Sequence, residues 1–277
     1  MEIKRDLLLK RLIDLRHNGM IKVVTGMRRC GKSYLLFNLF TDALKAKGVD
    51  EENIVQINLE DRRNKSLRDP DKLLAYIDSR LKDNKMYYIL LDEVQLVNEF
   101  EDVLNSYLQV KNADVYVTGS NARFLSKDVI TEFRGRGLEI RVHPLSFSEI
   151  RGARPDEPIE QLWIEYITYG GLPQVITMNS DQEKVDYLKG LFKHTYLKDI
   201  KERYDIKLDG DLEELISTLA STVGGLTNPR KLADTFRTVK KSTISQDTIK
   251  VYIDYLQDAF IIERALRYDI KGKRYID

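Results

Sequence analysis

Cysteine and histidine are scarce in this chain. Its 277 residues include one cysteine, Cys30, and three histidines, His17, His143 and His194. A single cysteine excludes an internal disulfide and any metal site built from clustered cysteines. The histidines lie far apart in sequence, so the chain has no zinc motif of the HxxxH type.

Long apolar runs and an excess of one charge are also missing. No stretch reaches 18 consecutive apolar residues, and the first 19 residues are interrupted by charges too often for a signal peptide. Lys and Arg number 45 against 44 for Asp and Glu, so no overall positive field points to nucleic acid. With 42% hydrophobic and 32% charged residues, we expect a soluble, cytoplasmic, folded protein with no membrane partner.

Strands and helices alternate along the first half of the chain. Short apolar or β-branched segments predict strands at 21–25, 54–59, 87–91, 115–118 and 138–142. Helical patterns separate them, which predicts the α/β class with a parallel sheet, helices on both faces and right-handed crossovers.

Three regions follow from this pattern. The alternation ends at Pro144, so residues 1–144 are predicted to form an α/β core of the P-loop type. Residues 145–205 are mostly helical in pattern and form a lid-like region. Residues 206–277 contain three short helical patterns and an extended pair, which is typical of a winged helix.

A complete phosphate-binding motif follows the first predicted strand. The residues Gly-Met-Arg-Arg-Cys-Gly-Lys-Ser at 26–33 fit G-x-x-x-x-G-K-[ST], between a strand and a helix as that motif requires. Backbone amides and the helix N-terminus attract phosphate, Lys32 would reach the β- and γ-phosphates, and Ser33 would ligate Mg²⁺. The predicted nucleotide-binding residues are Gly26, Met27, Arg28, Arg29, Cys30, Gly31, Lys32, Ser33 and Tyr34.

Two carboxylates end the third predicted strand. Asp92 and Glu93 follow an apolar run, and carboxyl ends of parallel strands meet near the first loop, where ligands bind. Asp92 would hold Mg²⁺, and Glu93 would orient and polarise the attacking water. Without the phosphate loop, a solvated acidic pair would be the simpler interpretation.

Other candidate side chains carry open alternatives. Ser120 or Asn121 could bond the γ-phosphate or the water, or cap a helix. Arg136, and less so Arg134, could reach a neighbouring subunit's site as an arginine finger, or lie in a flexible basic loop. Cys30 lies at a helix N-terminus beside a lysine, which favours a reactive thiol, although a small apolar filler is the simpler role.

The motifs together resemble a known family. The runs IKVVTGMRRCGKS, LLDEVQ, TGSN, PLSFSE, GGLP and YLKDI are similar to the prokaryotic AAA-type ATPases that carry a C-terminal domain of unknown function. The resemblance covers about residues 3–270. It implies the additional-strand, catalytic-glutamate class of P-loop ATPase core within the AAA+ superfamily, then a small helical region and a winged helix.

The resemblance also implies roles for single residues. It supports Lys32, Ser33, Asp92 and Glu93 as nucleotide and Mg²⁺ residues, and it makes Arg136 the preferred arginine. Cys30 departs from the family, which often has an aliphatic residue there. Family members usually continue into a nuclease-like domain, whereas the sequence ends at residue 277, so a function of that domain is expected to be absent.

The charge of the predicted winged helix leaves two partners open. Its recognition helix, 244–259, has one basic and three acidic residues and matches DNA phosphates poorly. Basic residues flank that helix: Arg237, Lys240, Lys241, Lys271, Lys273 and Arg274. Contact with duplex DNA through wing and loops, and packing against the core or a partner protein, are both compatible with this pattern.

The sequence thus predicts an ATPase that binds and hydrolyses Mg-ATP and couples nucleotide state to the winged helix. We expect ATP and Mg²⁺ as ligands and a homo-oligomer in which Arg136 acts in trans. ATP is favoured because no N/T-K-x-D guanine motif is evident. The alternative is a nucleotide-dependent switch or DNA-binding regulator with negligible turnover. A small-acceptor kinase fits the acidic strand end and the trailing winged helix less well.

Overall fold

The computed structural model describes residues 3–119, 135–206, 209–239, 241 and 243–265. The chain forms two compact units, Met1–Gly190 and Leu191–Asp277. Within the described ranges, every helix is too short or too polar to cross a membrane. The predicted limits of the three regions, 1–144, 145–205 and 206–277, stay predictions.

A parallel sheet of five strands organises the first unit. The strands are β1 Ile21–Thr25, β2 Ile54–Asn58, β3 Tyr87–Asp92, β4 Ala113–Gly119 and β5 Gly137–Arg141. Their order is β2-β3-β4-β1-β5, and every neighbouring pair is parallel. This arrangement confirms the predicted α/β class. It also brings the carboxyl ends of β1, β3 and β4 side by side.

Eight helices accompany the sheet in the described part of the first unit. They are α1 Asp6–Asp14; α2 Lys32–Tyr34, continued by a π-helical stretch Leu35–Phe40 and by Thr41–Ala46; α3 Pro70–Asp78; α4 Phe100–Tyr107; α5 Phe147–Ala153; α6 Ile159–Tyr169; α7 Pro173–Ile176; and α8 Asp181–Leu191. Three 3₁₀ turns are Glu51–Asn53, Arg62–Arg68 and Val94–Leu96. The predicted helix at 121–130 lies outside the described residues.

Both faces of the sheet are buried against helices. Successive side chains of a strand point to opposite faces, so Val23 and Val24 of β1 enter two different apolar clusters. The cluster with Val23 includes side chains of α3 and α4, and the cluster with Val24 includes side chains of α1 and α2. Strand β3 is a continuous apolar run up to Asp92 because all of its residues are buried.

A close backbone contact ties the helical region of this unit to the segment after β5. The N–H of Leu145 donates to the carbonyl of Gly171 at 2.7 Å. A Cβ on Gly171 would lie 2.0 Å from the Leu145 carbonyl oxygen, so only glycine fits there. The contact fixes the start of α7, whose first residue is Pro173.

The second unit is helical where it is described. A π-helical stretch, Phe192–Leu197, precedes α9 Lys198–Tyr204, α10 Asp209–Ser221, α11 Pro229–Val239 and α12 Gln246–Asp258. Their core contains Ile200, Leu215, Phe236, Ile249 and Leu256. The predicted turn at 271–273 lies outside the described residues, as do 266–270 of the predicted extended segment, so the winged helix stays a prediction.

Candidate nucleotide-binding site

The loop after β1 has the backbone of a phosphate cradle. Gly26 has φ +144°, and a Cβ there would lie 2.1 Å from the carbonyl oxygen of Val142. Gly31 has φ +96° and caps the first turn of α2. These two positions are the places in the loop where glycine is required, and they are the two glycines of the motif.

Lys32 is folded back over its own loop. Its side chain is buried, and its ammonium donates to the carbonyl oxygens of Gly26 and Met27, both at 3.0 Å. An ammonium has three N–H donors, so one remains beyond these two contacts among the described residues. The lysine is therefore held against the loop for which the sequence predicts phosphate binding.

Asp92, at the end of β3, accepts hydrogen bonds from two hydroxyl groups. Ser33 Oγ donates to Asp92 Oδ1 at 2.9 Å, and Thr118 Oγ1 donates to the same oxygen at 2.5 Å. Burial raises the pKa of Asp92 above its ordinary value, while the two hydroxyls and the Lys32 ammonium oppose that shift. The contact brings the two predicted Mg²⁺ ligands, Ser33 and Asp92, together.

Glu93 is held at its backbone and at its carboxylate. Its φ of +55° is left-handed, a conformation that is uncommon for residues other than glycine. Its N–H donates to Thr118 Oγ1 at 3.0 Å, and its carboxylate accepts a hydrogen bond from Gln95 Nε2. The two adjacent residues thus share Thr118, while the Glu93 carboxylate also accepts from Gln95.

Two of the contributing residues were not predicted as site residues. Thr118 connects Asp92 to Glu93, whereas the prediction named Ser120 and Asn121 just after it. Gln95 stands within the LLDEVQ run, two residues after Glu93. A polar residue at the end of a buried strand, and one just past an acidic pair, are the signals that point to them.

Arg5 is a third residue that sequence reasoning missed. Its buried guanidinium donates to the carbonyl of Cys30 at 3.1 Å, to the carbonyl of His143 at 2.8 Å and to Glu149 Oε1 at 3.0 Å. It thereby joins the segment before α1 to the phosphate loop and to α5. The available signal was the charge at position 5. The sequence predicts an amphipathic helix over residues 3–17, and the pattern calls for an apolar residue at that position.

The remaining loop residues have ordinary surroundings. Burial raises the pKa of the Cys30 thiol, which donates to the Val142 carbonyl at 3.3 Å, so the structure favours the small-filler role over a reactive one. Met27 packs on the core cluster beside α2. Arg29 is exposed with φ +64°, and Tyr34 is 46% exposed.

Arg136 lies at the opposite end of the sheet from the loop of its own chain. Its carbonyl accepts from the N–H of Ile21, at the start of β1, whereas Thr25 at the loop is paired with Arg141. Four residues at about 3.3 Å each separate the two ends by roughly 13 Å. Arg134, Ser120 and Asn121 lie outside the described residues, so their predicted roles stay predictions.

Mg²⁺ and a triphosphate fit the side chains present. The donors at the acidic strand end are a hydroxyl and a carboxylate oxygen, which suit Mg²⁺, and the loop supplies an ammonium and a helix N-terminus for phosphate. Among the described residues, no three His, Cys, Asp or Glu side chains cluster as a metal site. Mg²⁺ here would therefore take most of its ligands from phosphate and water.

Comparison with known proteins assigns the family. Residues 18–151 match a family model described as an AAA domain, and residues 160–276 match one described as a domain of unknown function, DUF8612. An uncharacterized protein of Haemophilus influenzae is 35% identical over 279 residues, which span 99% of this chain and 69% of that protein. The chain belongs to this family of AAA-domain proteins.

Other relatives of this AAA-domain protein are more distant. An uncharacterized protein of Methanocaldococcus jannaschii is 27% identical over 266 residues, 91% of this chain and 58% of that protein. The chain thus spans about six to seven tenths of the lengths of the two curated relatives.

Two solved structures that match this chain have low sequence identity to it and TM-scores below 0.5. A structure of the Aeropyrum pernix ORC1 protein in complex with DNA has a TM-score of 0.40 at 12% identity, over 94% of this chain and 84% of that one. A DNA polymerase III gamma-subunit-related protein of Thermotoga maritima has a TM-score of 0.42 at 12% identity, over 93% of both chains.

Proposed function

We propose that this AAA-domain protein binds Mg-ATP and hydrolyses it to ADP and phosphate. The observation that supports this most is the set of contacts at the carboxyl ends of β1, β3 and β4. There Ser33, Asp92, Thr118 and Glu93 form one chain of hydrogen bonds beside the phosphate loop. A loop that only binds phosphate has no need of a second, separately held carboxylate.

Each side chain has a distinct part in the proposed reaction. Lys32 and the loop amides hold the β- and γ-phosphates, and Ser33 and Asp92 hold Mg²⁺, which when bound neutralises phosphate charge. Glu93 accepts a proton from water as the water oxygen bonds to the γ-phosphorus and the bond from that phosphorus to the bridging oxygen breaks. ADP leaves with the electron pair of that bond. Positioning and charge neutralisation provide most of the acceleration.

The proposal extends to a neighbouring molecule. Because Arg136 is exposed and far from the loop of its own chain, an arginine finger would act on the site of a second copy. We also propose that the nucleotide state is passed to the C-terminal unit, for which the sequence predicts a winged helix.

Duplex DNA is the less supported partner of that unit. Helix α12 buries Ile249, Tyr252 and Leu256 in the core, and its charged residues are Asp247, Lys250, Asp254 and Asp258. A net negative helix does not attract phosphates. Contact with DNA would depend on flanking basic residues such as Arg237, which is exposed.

The test is Mg-ATP hydrolysis by the wild-type chain and by Glu93→Gln, with and without duplex DNA. We expect turnover in the wild type and a loss of at least about 100-fold in kcat in the variant, the range a positioned base contributes. ATP binding, measured by calorimetry, should change little. Equal turnover in both proteins would contradict the role of Glu93.

The same assay separates the second candidate. Wild-type chain that binds ATP without turnover at any protein concentration would indicate a nucleotide-dependent switch. Stimulation by DNA would make Arg237, Lys240, Lys241 and Lys273 the next residues to change. Turnover that is indifferent to DNA would instead indicate that the C-terminal unit contacts protein.

A further inference from the structure

Gln95 contacts the Glu93 carboxylate, but the proposed reaction assigns no role to Gln95. It lies two residues after Glu93 in the 3₁₀ turn Val94–Leu96, and its Nε2 donates to the Glu93 carboxylate. We propose that Gln95 is a positioning residue that holds the Glu93 carboxylate ready to accept a proton from water. This inference rests on the proposed ATPase function and deepens it.

The turn that carries Gln95 is anchored by buried side chains and by backbone hydrogen bonds. Val94, just before Gln95, and Val97, two residues after it, are buried in the core cluster, while Gln95 itself is half-buried. The N–H groups of Leu96 and Val97 donate to the carbonyls of Glu93 and Val94 at 3.0 and 2.9 Å. A side chain on such a turn has few alternative positions, so its amide can fix the group that it contacts.

A neutral amide is suited to this task. Two adjacent carboxylates repel each other, and Asp92 is already satisfied by the hydroxyls of Ser33 and Thr118. An amide donor draws Glu93 away from Asp92. A lysine or arginine in the same place would hold the carboxylate more tightly but would make it a poorer proton acceptor.

The amide oxygen of Gln95 indicates that the side chain has a role in the reaction and does not serve packing alone. Gln95 Oε1 is buried and has no hydrogen-bond partner among the described residues. A buried acceptor left unpaired costs free energy, and an amide that served only packing would be replaced by an apolar side chain at no loss. The unpaired state of Gln95 Oε1 in the described part of the chain is explained if the other end of the amide must donate to Glu93.

The test replaces the amide while keeping its length. Gln95→Met removes the donor, and Gln95→His restores an N–H at the same number of bonds from Cβ. We expect Gln95→Met to lower kcat about tenfold or more, a part of what a positioned base contributes. The KM for Mg-ATP and the dissociation constant of ATP should stay within about twofold, and Gln95→His should recover much of kcat.

The matched control is Gln109→Met, the same exchange at an exposed position, which should leave kcat unchanged. If Glu93→Gln is inactive while Gln95→Met keeps wild-type kcat, the inference is overturned and the proposed function stands. A loss of kcat that Gln95→His does not recover, or an equal rise in KM, would also overturn it, since both indicate a packing role.

A second measurement does not depend on turnover. A crystal structure of the wild-type chain with Mg²⁺ and a non-hydrolysable ATP analogue should keep Gln95 Nε2 within hydrogen-bond distance of Glu93. An amide turned away from Glu93 in that structure would overturn the inference, even for a chain that binds ATP without hydrolysing it.

Discussion

Thr118 contacts both of the adjacent acidic residues of the site. Its hydroxyl donates to Asp92, the predicted Mg²⁺ ligand, and accepts from the N–H of Glu93, the predicted base. One hydroxyl can do both because it has one donor and two acceptor sites. Its full burial means that no water can replace either bond.

Thr118→Val should therefore damage both stability and turnover. Valine has a similar shape but leaves the Glu93 N–H and one Asp92 oxygen without that partner, at a cost of about 1–3 kcal/mol. We expect unfolding at lower urea concentration and a kcat reduced about tenfold or more. Thr118→Ser keeps the hydroxyl and should retain most activity; a valine variant with wild-type kcat would show that Glu93 is positioned without Thr118.

At the scale of strands and helices, much of the first unit could be predicted from the sequence. The five strands were placed within two residues at each end because each contains a short apolar or β-branched segment. Helix ends were less accurate. Residues 3–17 predict one helix, yet α1 begins at Asp6 because Arg5 leaves the helical conformation to reach the phosphate loop.

The candidate site, too, was predicted only in part from the sequence. Four of the site residues belong to motifs whose spacing predicts their chemistry: Lys32, Ser33, Asp92 and Glu93. The structure places all four at the carboxyl ends of the strands. Thr118 and Arg5 act through contacts with residues 25 to 144 positions away, and Gln95 acts through a local contact with Glu93 from the turn Val94–Leu96. Such contacts leave no periodic trace in a single sequence.

A buried charge within β1 was also not predictable as such. Lys22 is fully buried and pairs with Asp114 of β4, which also accepts from Tyr116 Oη at 3.0 Å. Burial lowers the pKa of Lys22, and the carboxylate of Asp114 opposes that shift. The pair fixes the amino-terminal ends of two central strands, away from the nucleotide loop.

Removing one partner of this pair should destabilise the first unit strongly. Lys22→Met leaves the Asp114 carboxylate buried without its cation, which costs about 3–5 kcal/mol. The double variant Lys22→Met/Asp114→Asn should recover more than half of that loss, as neither charge then remains. Urea unfolding measures both; a single variant within 1 kcal/mol of the wild type, roughly the median worth of an exposed pair, would show that the pair is weak.

At the scale of the whole molecule, the proposed role of Arg136 would link activity to association. The residue is exposed and separated from its own phosphate loop by the length of β1. A guanidinium that completes a site in trans contributes roughly 10³-fold or more where it operates. Turnover per chain should then rise with protein concentration.

Mixing variants tests this arrangement. Arg136→Ala lacks the finger but keeps Glu93, whereas Glu93→Gln keeps the finger, so a mixture of the two inactive chains should regain turnover. The control replaces the second chain by Arg136→Ala/Glu93→Gln, which supplies no arginine and should restore nothing. Turnover that is independent of concentration, with no gain on mixing, would place the role of Arg136 elsewhere.

The contacts of Arg5 have a consequence for synthesis in the cell. The arginine is synthesised before its partners, which lie 25, 138 and 144 positions later in the chain. Domains fold as units during translation, and contacts so distant in sequence form late. A nascent chain that has not yet reached Glu149 therefore has the whole phosphate motif in its sequence, yet lacks one of the partners that hold Arg5 against that loop.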